Sequence, residues 1–340
     1  MRANNTDTIF RITALWAFSE CALGGVMHAL KMPFTGIFVG GFAVLCIGLL
    51  AHASGRKASV ILRSTVLVIL VKALVSPHSP PTAYFAVGFQ GVAGALILCH
   101  VKPYALAAYL FGFLAIVESA VQKVIMLSVF FGKPLFEALD IFVSDVLKLF
   151  GFQSGVSGSA LVVGGYIALY GLWGVVLGFW LTRLPGQIEA RMAEYGQLTL
   201  PVAGQDFSEK KRARPKWLLA VGVLLFIVLT FLLAGGKASG VQRAMYAVLR
   251  TVAVLVAWFY IVQPVMTWHF RRWAKKKSEQ EKGALQQIMG FMPDLRTKVG
   301  PLYRYVSKKH GGWRRLTEFV AGLFVVAVYR DASEKEAHAP

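Results

Sequence analysis

The 340-residue chain is 56% hydrophobic and only 16% charged, whereas soluble globular domains are about 45–50% apolar and roughly 25% charged. This composition excludes an ordinary soluble protein and a disordered one, and it favours a polytopic membrane protein. The 36 Lys and Arg residues outnumber 17 Asp and Glu residues, for a formal net charge of +19. The position of these charges decides whether they indicate nucleic acid or a membrane.

Eight stretches of the sequence are long and apolar enough to cross a bilayer as helices, which takes about 20 residues each. Pro, Gly and Ser residues separate most of them, as expected for turns. The predicted spans are Ile9–Leu30, Pro33–Ala53, Ala58–Pro77, Pro81–Val101, Pro103–Phe131, Ser159–Thr182, Trp217–Gly235 and Ala244–Thr267. The predicted fold class is therefore all-α, a polytopic membrane helix bundle of about eight transmembrane helices with amphipathic cytoplasmic C-terminal helices.

The distribution of Lys and Arg predicts the orientation, because these residues accumulate on the cytoplasmic side. Alternate connecting segments are basic and the others are not, which places both termini in the cytoplasm and the protein in the cytoplasmic (inner) membrane. Five basic residues immediately follow the last span: Arg271, Arg272, Lys275, Lys276 and Lys277. That position is typical of contacts with anionic lipid headgroups, so the lipid bilayer is a predicted partner and nucleic acid is not.

The chain divides into four predicted parts. Residues 1–183 form a six-helix membrane domain with short turns, and its outer side carries one amphipathic helix over 134–150. Residues 184–216 form a cytoplasmic connector rich in breakers, residues 217–267 a two-helix membrane hairpin, and residues 268–340 a basic cytoplasmic tail. This organisation separates a membrane domain suited to solute binding from a tail suited to contacts with proteins or lipids.

The tail contains apolar residues at helical spacing, which predicts amphipathic helices. Pro293 suits the first turn of a second helix, and Pro301 is expected to kink that helix. The apolar faces need a cover, which is the protein itself, lipid headgroups or a docked protein. The predicted partner-binding positions here are Leu285, Ile288, Met289, Met292, Leu295 and Leu302.

Ionisable residues within the predicted spans are candidates for function, because charge at membrane depth is costly. The deepest are Glu20, Lys72, Glu118 and Lys123. Two interpretations stay open: Lys72 pairs with Glu118 or Glu20 inside the protein, or these groups bind a charged solute. Gln122 lies one turn after Glu118 on the same helix face and joins the predicted substrate-binding residues.

The outer turns contribute further predicted substrate-binding residues. His28 precedes the first outer turn, His78 lies in the proline-rich second outer turn, and Tyr84 and Gln90 follow it. Stiff turns with imidazole, hydroxyl and aromatic groups are suitable walls for a solute pocket. Two histidines without a close-spaced partner are weak support for a metal site, and we predict no metal and no cofactor.

The sequence lacks the motifs of common enzyme classes. The stretch 235–239 superficially matches a phosphate-binding loop, but Phe231 occupies the position of its first glycine. Zinc-protease and nucleophile-elbow patterns are absent as well. We therefore predict a protein that is not an enzyme.

The six short-looped spans with an inner N-terminus, small residues in span one and polar outer turns resemble the substrate-binding component of energy-coupling-factor (ECF) transporters over about residues 1–183. In that family the first outer turn gates the solute pocket, which corresponds here to Lys31, Met32 and Pro33. The resemblance also implies that the small-residue face of span one, with Ala17 and Cys21, meets a transmembrane coupling component. The C-terminal part resembles, more weakly, that coupling component, whose cytoplasmic helices contact ATPases.

Together these patterns predict the membrane subunit of a small-solute importer. It binds solute from the outer side, and its tail contacts a cytoplasmic ATPase or another protein subunit. The alternative is a membrane-anchored assembly or scaffold protein that transports nothing. Its intramembrane charges are structural, and its basic tail recruits a protein complex or anionic lipid.

Overall fold

A computed structural model describes residues 5–29, 34–76, 79–151, 155–195 and 238–328, and all secondary structure in this part of the chain is helical. Two five-residue segments are π-helical: π1, Gly36–Gly40, and π2, Trp258–Val262. The α-helices are α1 Asn5–Ala29, α2 Gly41–Ala53, α3 Ala58–Val75, α4 Pro81–His100, α5 Tyr104–Phe131, α6 Lys133–Leu149, α7 Gly158–Tyr195, α8 Ala238–Ala257, α9 Gln263–Gln280, α10 Lys282–Lys309 and α11 Gly312–Val328.

Six helices in the described residues are long and apolar enough to cross a membrane. They are Gly36–Ala53, Ala58–Val75, Pro81–His100, Tyr104–Phe131, Gly158–Met192 and Ala247–Gln280. Each overlaps one of the eight predicted spans. Of the other two, Ile9–Leu30 coincides with α1 up to Ala29 but is not among the six. The span Trp217–Gly235 and Leu30 lie outside the described residues. The helices thus fit a multi-pass membrane protein.

Helix α1 differs from the other predicted spans in its surroundings. Asp7, Arg11 and Glu20 lower its hydropathy, yet Ile12 and Trp16 on it are fully buried. Helices α2, α3, α10 and α11 all pack against α1. Because protein covers its sides, α1 does not depend on an apolar surface facing lipid.

The chain forms two compact units. Unit 1 comprises Met1–Val121, Tyr166–Gly204 and Met266–Pro340, and unit 2 comprises Gln122–Gly165 and Gln205–Val265. This grouping differs from the four predicted parts, since the C-terminal helices belong with the N-terminal ones. Helix α7 also runs without a break past the predicted boundary at Arg183 and contains Pro185.

Within unit 1, glycines allow α5 and α7 to meet backbone to backbone. A Cβ atom added to Gly174 would lie 2.5 Å from the carbonyl oxygen of Gly112, and one added to Gly178 would lie 2.7 Å from the Cα of Tyr109. No side chain fits at such distances. The small residues along these helices therefore set how closely they approach, as in many membrane helix pairs.

The turn between α2 and α3 stabilises the end of α4. Arg56 adopts a positive φ of 64°, which directs its side chain to α4. The guanidinium donates hydrogen bonds to the carbonyl oxygens of Leu98 at 2.6 Å and Val101 at 2.5 Å. The last carbonyls of a helix lack partners within it, so Arg56 has a structural role at the predicted inner side.

Unit 2 contains α6, which matches the amphipathic helix predicted over 134–150. None of its residues is buried. Asp140 on α6 accepts a hydrogen bond from the backbone N–H of Ser159 at 2.6 Å, in the first turn of α7. This bond holds the pKa of the Asp140 carboxyl below its ordinary value. The contact satisfies a donor that the start of α7 would otherwise leave unpaired.

The C-terminal helices form part of the core of unit 1. Helix α10 is one continuous helix through Pro293 and Pro301, where the sequence predicts two helices with a kink. It packs along α1, α3 and α11, and Phe324 on α11 stacks on Phe42 of α2 with ring centroids 5.4 Å apart. The buried side chains of α10 lie both before and after the two prolines. Their packing against the neighbouring helices explains why α10 continues through both prolines.

Candidate functional site

A buried ion pair joins α1 to α3. Lys72 Nζ lies 2.6 Å from Glu20 Oε2, and the two side chains are 7% and 4% exposed. Each charge compensates the cost of burying the other. The sequence left open whether these residues pair with each other or bind a charged solute. The structure shows that Lys72 pairs with Glu20.

Tyr84 lies close to this pair. Its hydroxyl donates to the carbonyl oxygen of Ser76 at 3.3 Å, and Ser76 follows Lys72 by one helical turn. The Tyr84 ring lies against Phe270 of α9, with centroids 4.3 Å apart. Arg63 near the start of α3 pairs with Glu281, just after α9, at 2.9 Å. Helix α9 therefore runs antiparallel along α3.

A second polar group of side chains surrounds π1. A Cβ atom added to Gly40 would lie 3.0 Å from Gln90 Nε2 and 3.7 Å from Ser119 Oγ. One added to Gly36 would lie 3.4 Å from the same Ser119 Oγ and 3.5 Å from Tyr170 Cε1. Side chains from α4, α5 and α7 thus pack closely against two glycines, where a larger side chain would collide with them. We call these five residues the π1 cluster.

Hydrogen bonds hold the aromatic side of the π1 cluster in place. The Tyr166 hydroxyl donates to the Tyr170 hydroxyl at 3.0 Å, and Tyr170 is 2% exposed. Trp173 Nε1 donates to the carbonyl oxygen of Ile37 at 3.1 Å, within π1 itself. Short π-helical segments are frequent at functional sites, and aromatic walls with a few placed polar groups are typical of small-molecule pockets.

Glu118 precedes Ser119 on α5 and has an unusual environment. Both of its carboxylate oxygens are buried, and neither has a hydrogen-bond partner among the described residues. The Ser119 hydroxyl lies close enough to act on this carboxylate as a hydrogen-bond donor, but neither oxygen has a hydrogen bond of good geometry within the described residues. Burial of an ionised carboxylate without a partner is strongly unfavourable, so this group is a candidate for ligand binding.

The helix register places Glu118 on the side of α5 that faces α4. Phe111, seven residues earlier and therefore on the same side, lies 3.2 Å from a Cβ added to Gly94 of α4. Helices α4 and α5 are consecutive and antiparallel. Glu118, two turns after Phe111 on α5, therefore lies level with the residues about two turns before Gly94 on α4. Gln90 lies in that stretch, so Glu118 and the π1 cluster belong to the same region of unit 1.

The other predicted substrate-binding residues are less closely connected to this region. His28 is in the last turn of α1, and its side chain is outside the described part, as is all of His78. Gln122 belongs to unit 2. Glu20, Lys72 and Tyr84 form one group in the structure. Gln90 belongs to the π1 cluster with Ser119, the residue that follows Glu118.

The predicted partner-binding residues lie largely inside unit 1. Ala17 and Cys21 on α1 are buried, and α10 and α11 pack against that helix. On α10 the exposure follows the helical period. Leu285, Ile288, Leu295 and Leu302 are buried, whereas Met289 is 41% exposed and Met292 is partly buried. Four of these six tail residues therefore have their cover within the chain.

Because Leu295 is buried and Met289 is exposed on the same helix, α10, the two residues allow a matched pair of substitutions. Leu295→Ala removes a side chain that is 4% exposed and is expected to lower the free energy of unfolding by about 2–5 kcal/mol. Met289→Ala on the exposed side is expected to change it by at most about 0.5 kcal/mol. Unfolding in detergent, followed by circular dichroism, measures both. Equal losses would contradict the packing of α10 against α1.

Sequence reasoning did not identify several polar residues of unit 1. Ser119, Tyr166 and Tyr170 belong to the site, and Arg191 and Glu318 form a bidentate ion pair at 2.5 and 2.6 Å between α7 and α11. The spacing of Tyr166 and Tyr170, one turn apart on an apolar helix, is a signal that could have found the tyrosine pair. Nothing in the linear sequence links Arg191 to a residue 127 positions away.

Within the described residues, no group of three or more His, Cys, Asp or Glu side chains is arranged to hold a metal ion. No protein-family model, curated protein or solved structure matches the chain.

Proposed function

We propose that this chain is the membrane subunit of a small-solute importer, with eight transmembrane helices and a basic amphipathic tail. Unit 1 binds the solute from the outer side of the cytoplasmic membrane. The tail contacts a cytoplasmic subunit, an ATPase or another protein. The protein itself catalyses no reaction and requires no cofactor.

The observation that carries this proposal is the environment of Glu118 and the π1 cluster. A purely structural interior at this depth would be apolar or fully paired, as the Glu20–Lys72 pair is. Here a buried carboxylate has no hydrogen-bond partner among the described residues. Its neighbour Ser119 packs against the glycines of π1 together with the amide of Gln90 and the ring of Tyr170. These features match a site for a small polar molecule better than a packing interface.

The contacts of α1 support the proposed role of the C-terminal part in contacts with a coupling subunit. In the ECF resemblance, the small-residue face of span one meets a coupling component. In this chain α10 and α11, which belong to the part that resembles that component, pack against α1. A solute-binding part and a coupling part within one chain would have this arrangement.

The proposed topology is tested by labelling single cysteines with a membrane-impermeant maleimide. A cysteine at Ser79 should react from outside, whereas cysteines at Gln205 and at Lys276 on α9 should react only after the membrane is opened. Lys276 is informative because the predicted topology assigns Tyr84 and Phe270 to opposite sides of the membrane, whereas the structure places their ring centroids 4.3 Å apart. The structure and the predicted topology therefore disagree about the position of α9. Labelling of Lys276→Cys from outside would overturn the cytoplasmic assignment of the tail.

Solute binding is tested by mass spectrometry of the denatured, purified protein. We expect a defined small molecule to be released from the wild-type chain and not from Gly40→Leu, because the new side chain would displace Gln90 Nε2 and Ser119 Oγ, which lie 3.0 and 3.7 Å from an added Cβ. A melting curve of Gly40→Leu checks that the variant is folded. Gly88→Leu is the matched control, since a Cβ there meets only Ile69 Cδ1 at 3.8 Å. Repeated absence of any released solute from wild type would count against import.

The alternative, a scaffold that recruits a protein complex or anionic lipid, is favoured by a different observation. The C-terminal helices expose large side chains, among them Met289, Tyr303 and Trp313, next to basic residues. A scaffold would retain a protein partner and no small molecule. Loss of that partner on Met289→Asp, with the fold intact, would support this alternative.

A further inference from the structure

We propose that Glu118 binds a cationic group of the solute, so that the solute carries a protonated amine, a guanidinium or a quaternary nitrogen. This inference rests on the proposed import function and specifies its substrate class. The carboxylate would be the counter-ion in an otherwise neutral polar site.

The comparison of three buried acids in unit 1 motivates this assignment. Glu20 is paired with Lys72 at 2.6 Å, and Glu318 is paired with Arg191. Glu118 alone of the three has both oxygens buried without a hydrogen-bond partner among the described residues. Two of these acids thus have a cationic partner within the protein. We infer that the partner of the third, Glu118, is a cationic group of the solute.

The only other ionisable residue predicted deep within span five does not neutralise Glu118. Lys123 follows it by five residues on α5, which is about 140° further around the helix. The two side chains therefore point to different sides, and Lys123 is exposed whereas the Glu118 oxygens are buried. Salt bridges of the described residues do not include either of them.

The surrounding groups suit a cation with an organic body. The Ser119 hydroxyl and the amide oxygen of Gln90 can accept hydrogen bonds from N–H groups, although the Gln90 atom nearest Gly40 is the donor Nε2. Tyr166 and Tyr170 present aromatic rings in the same region, and such rings attract cations as well as flat apolar groups. An anionic solute would meet a carboxylate with no compensating base, which makes this class the least compatible with the site.

The test uses dicyclohexylcarbodiimide, an apolar reagent that modifies buried carboxyl groups in membranes, on the full-length protein in membrane vesicles. Peptide mass spectrometry identifies the modified residue. We expect modification at Glu118, while the ion-paired Glu20 serves as an internal control that reacts slowly. Glu118→Gln should remove the adduct and leave the melting temperature close to that of the wild type, because no partner is lost.

Cation specificity is tested by protection with two probes of similar shape. Benzylammonium should slow the modification of Glu118 by roughly tenfold or more at saturation, since contacts between charged groups are among the strongest polar ones. Benzyl alcohol, which is neutral, should have little effect. Equal protection by both probes, or protection by neither, would overturn the cation assignment. A large drop in melting temperature for Glu118→Gln would overturn it as well, because the carboxylate would then have a structural partner.

The outcome for the cation is separable from the outcome for import. A neutral or anionic solute released from the purified protein would overturn the cation assignment and leave the importer intact. Selective protection by benzylammonium together with no released or transported solute would show a cation site in a protein that does not import. A released solute with a cationic nitrogen, lost in Glu118→Gln but retained in Glu137→Gln, whose side chain is exposed, supports both.

Discussion

Glu20→Gln should lower the free energy of unfolding by roughly 3–5 kcal/mol, because it leaves the Lys72 ammonium buried without its counter-ion. The pair lies at 2.6 Å with both side chains less than a tenth exposed. The loss should appear as a large drop in melting temperature of the protein in detergent. Because α1 is the helix against which α2, α3, α10 and α11 pack, the whole of unit 1 should respond.

A second substitution identifies the cause of this loss. In the double variant Glu20→Gln, Lys72→Met, both charges are gone, so most of the stability should return. The exposed pair Lys133 and Glu137 on α6 is the control, at 3.7 Å. Glu137→Gln should change stability by no more than about 0.5 kcal/mol. A double variant as unstable as the single one would mean that Glu20 acts through something other than Lys72.

Glu318→Gln should weaken the attachment of α11 to α7. Arg191 donates two hydrogen bonds to the Glu318 carboxylate at 2.5 and 2.6 Å, and the side chains are 24% and 8% exposed. Because Arg191 is partly solvated, we expect a loss of roughly 2–3 kcal/mol, somewhat below the ~3–5 of a fully buried pair. Asp294→Asn on the exposed side of α10 is the matched control and should have little effect, since its pair with Lys298 is solvated.

The same ion pair predicts how stability depends on pH. Hydrogen bonds from Arg191 hold the pKa of the Glu318 carboxyl below its ordinary value, and the Lys309 ammonium does the same for the pKa of Glu194. A carboxyl with a lowered pKa in the folded state stabilises it above the unfolded pKa, about 4.3 for Glu. That stability is lost as the pH falls through the lower, folded pKa.

Melting curves between about pH 5 and pH 3 measure this effect, because the window spans the ordinary pKa of a glutamate. The wild type should lose more stability over this interval than Glu318→Gln, which has no carboxyl to protonate at this position. The residual slope of that variant includes Glu194 and Asp140, whose carboxyl pKa values are also lowered, and Glu194→Gln should reduce it further. Parallel curves for the wild type and Glu318→Gln would show that the pair with Arg191 does not persist in solution.

Helix positions were predictable because local rules determine them. Six predicted spans, from Pro33–Ala53 to Ala244–Thr267, overlap helices that are apolar enough to cross a membrane, since a run of about 20 apolar residues has few other stable states in a bilayer. The amphipathic segment over 134–150 is likewise a helix. In the tail, the periodic spacing correctly indicated a helix, but it did not show that one helix continues through Pro293 and Pro301.

The candidate site was predictable only in its parts. Charge at membrane depth marked Glu20, Lys72 and Glu118 equally, because the sequence shows the residue type and its position in an apolar span but not its partners. The sequence could not show that Lys72 lies 2.6 Å from Glu20 while Glu118 has no such partner among the described residues. That distinction separates a structural pair from a candidate ligand.

The sequence by itself determined the membrane character, the helical class and the residues whose charge is costly, because these depend on composition and on spacing within single helices. Only the tertiary structure decided which helices meet. It placed Gln90, Ser119 and Tyr170 over the glycines of π1, and it packed α10 and α11 against α1. Such contacts join residues up to hundreds of positions apart, and they depend on complementary surfaces and close packing that no local pattern records.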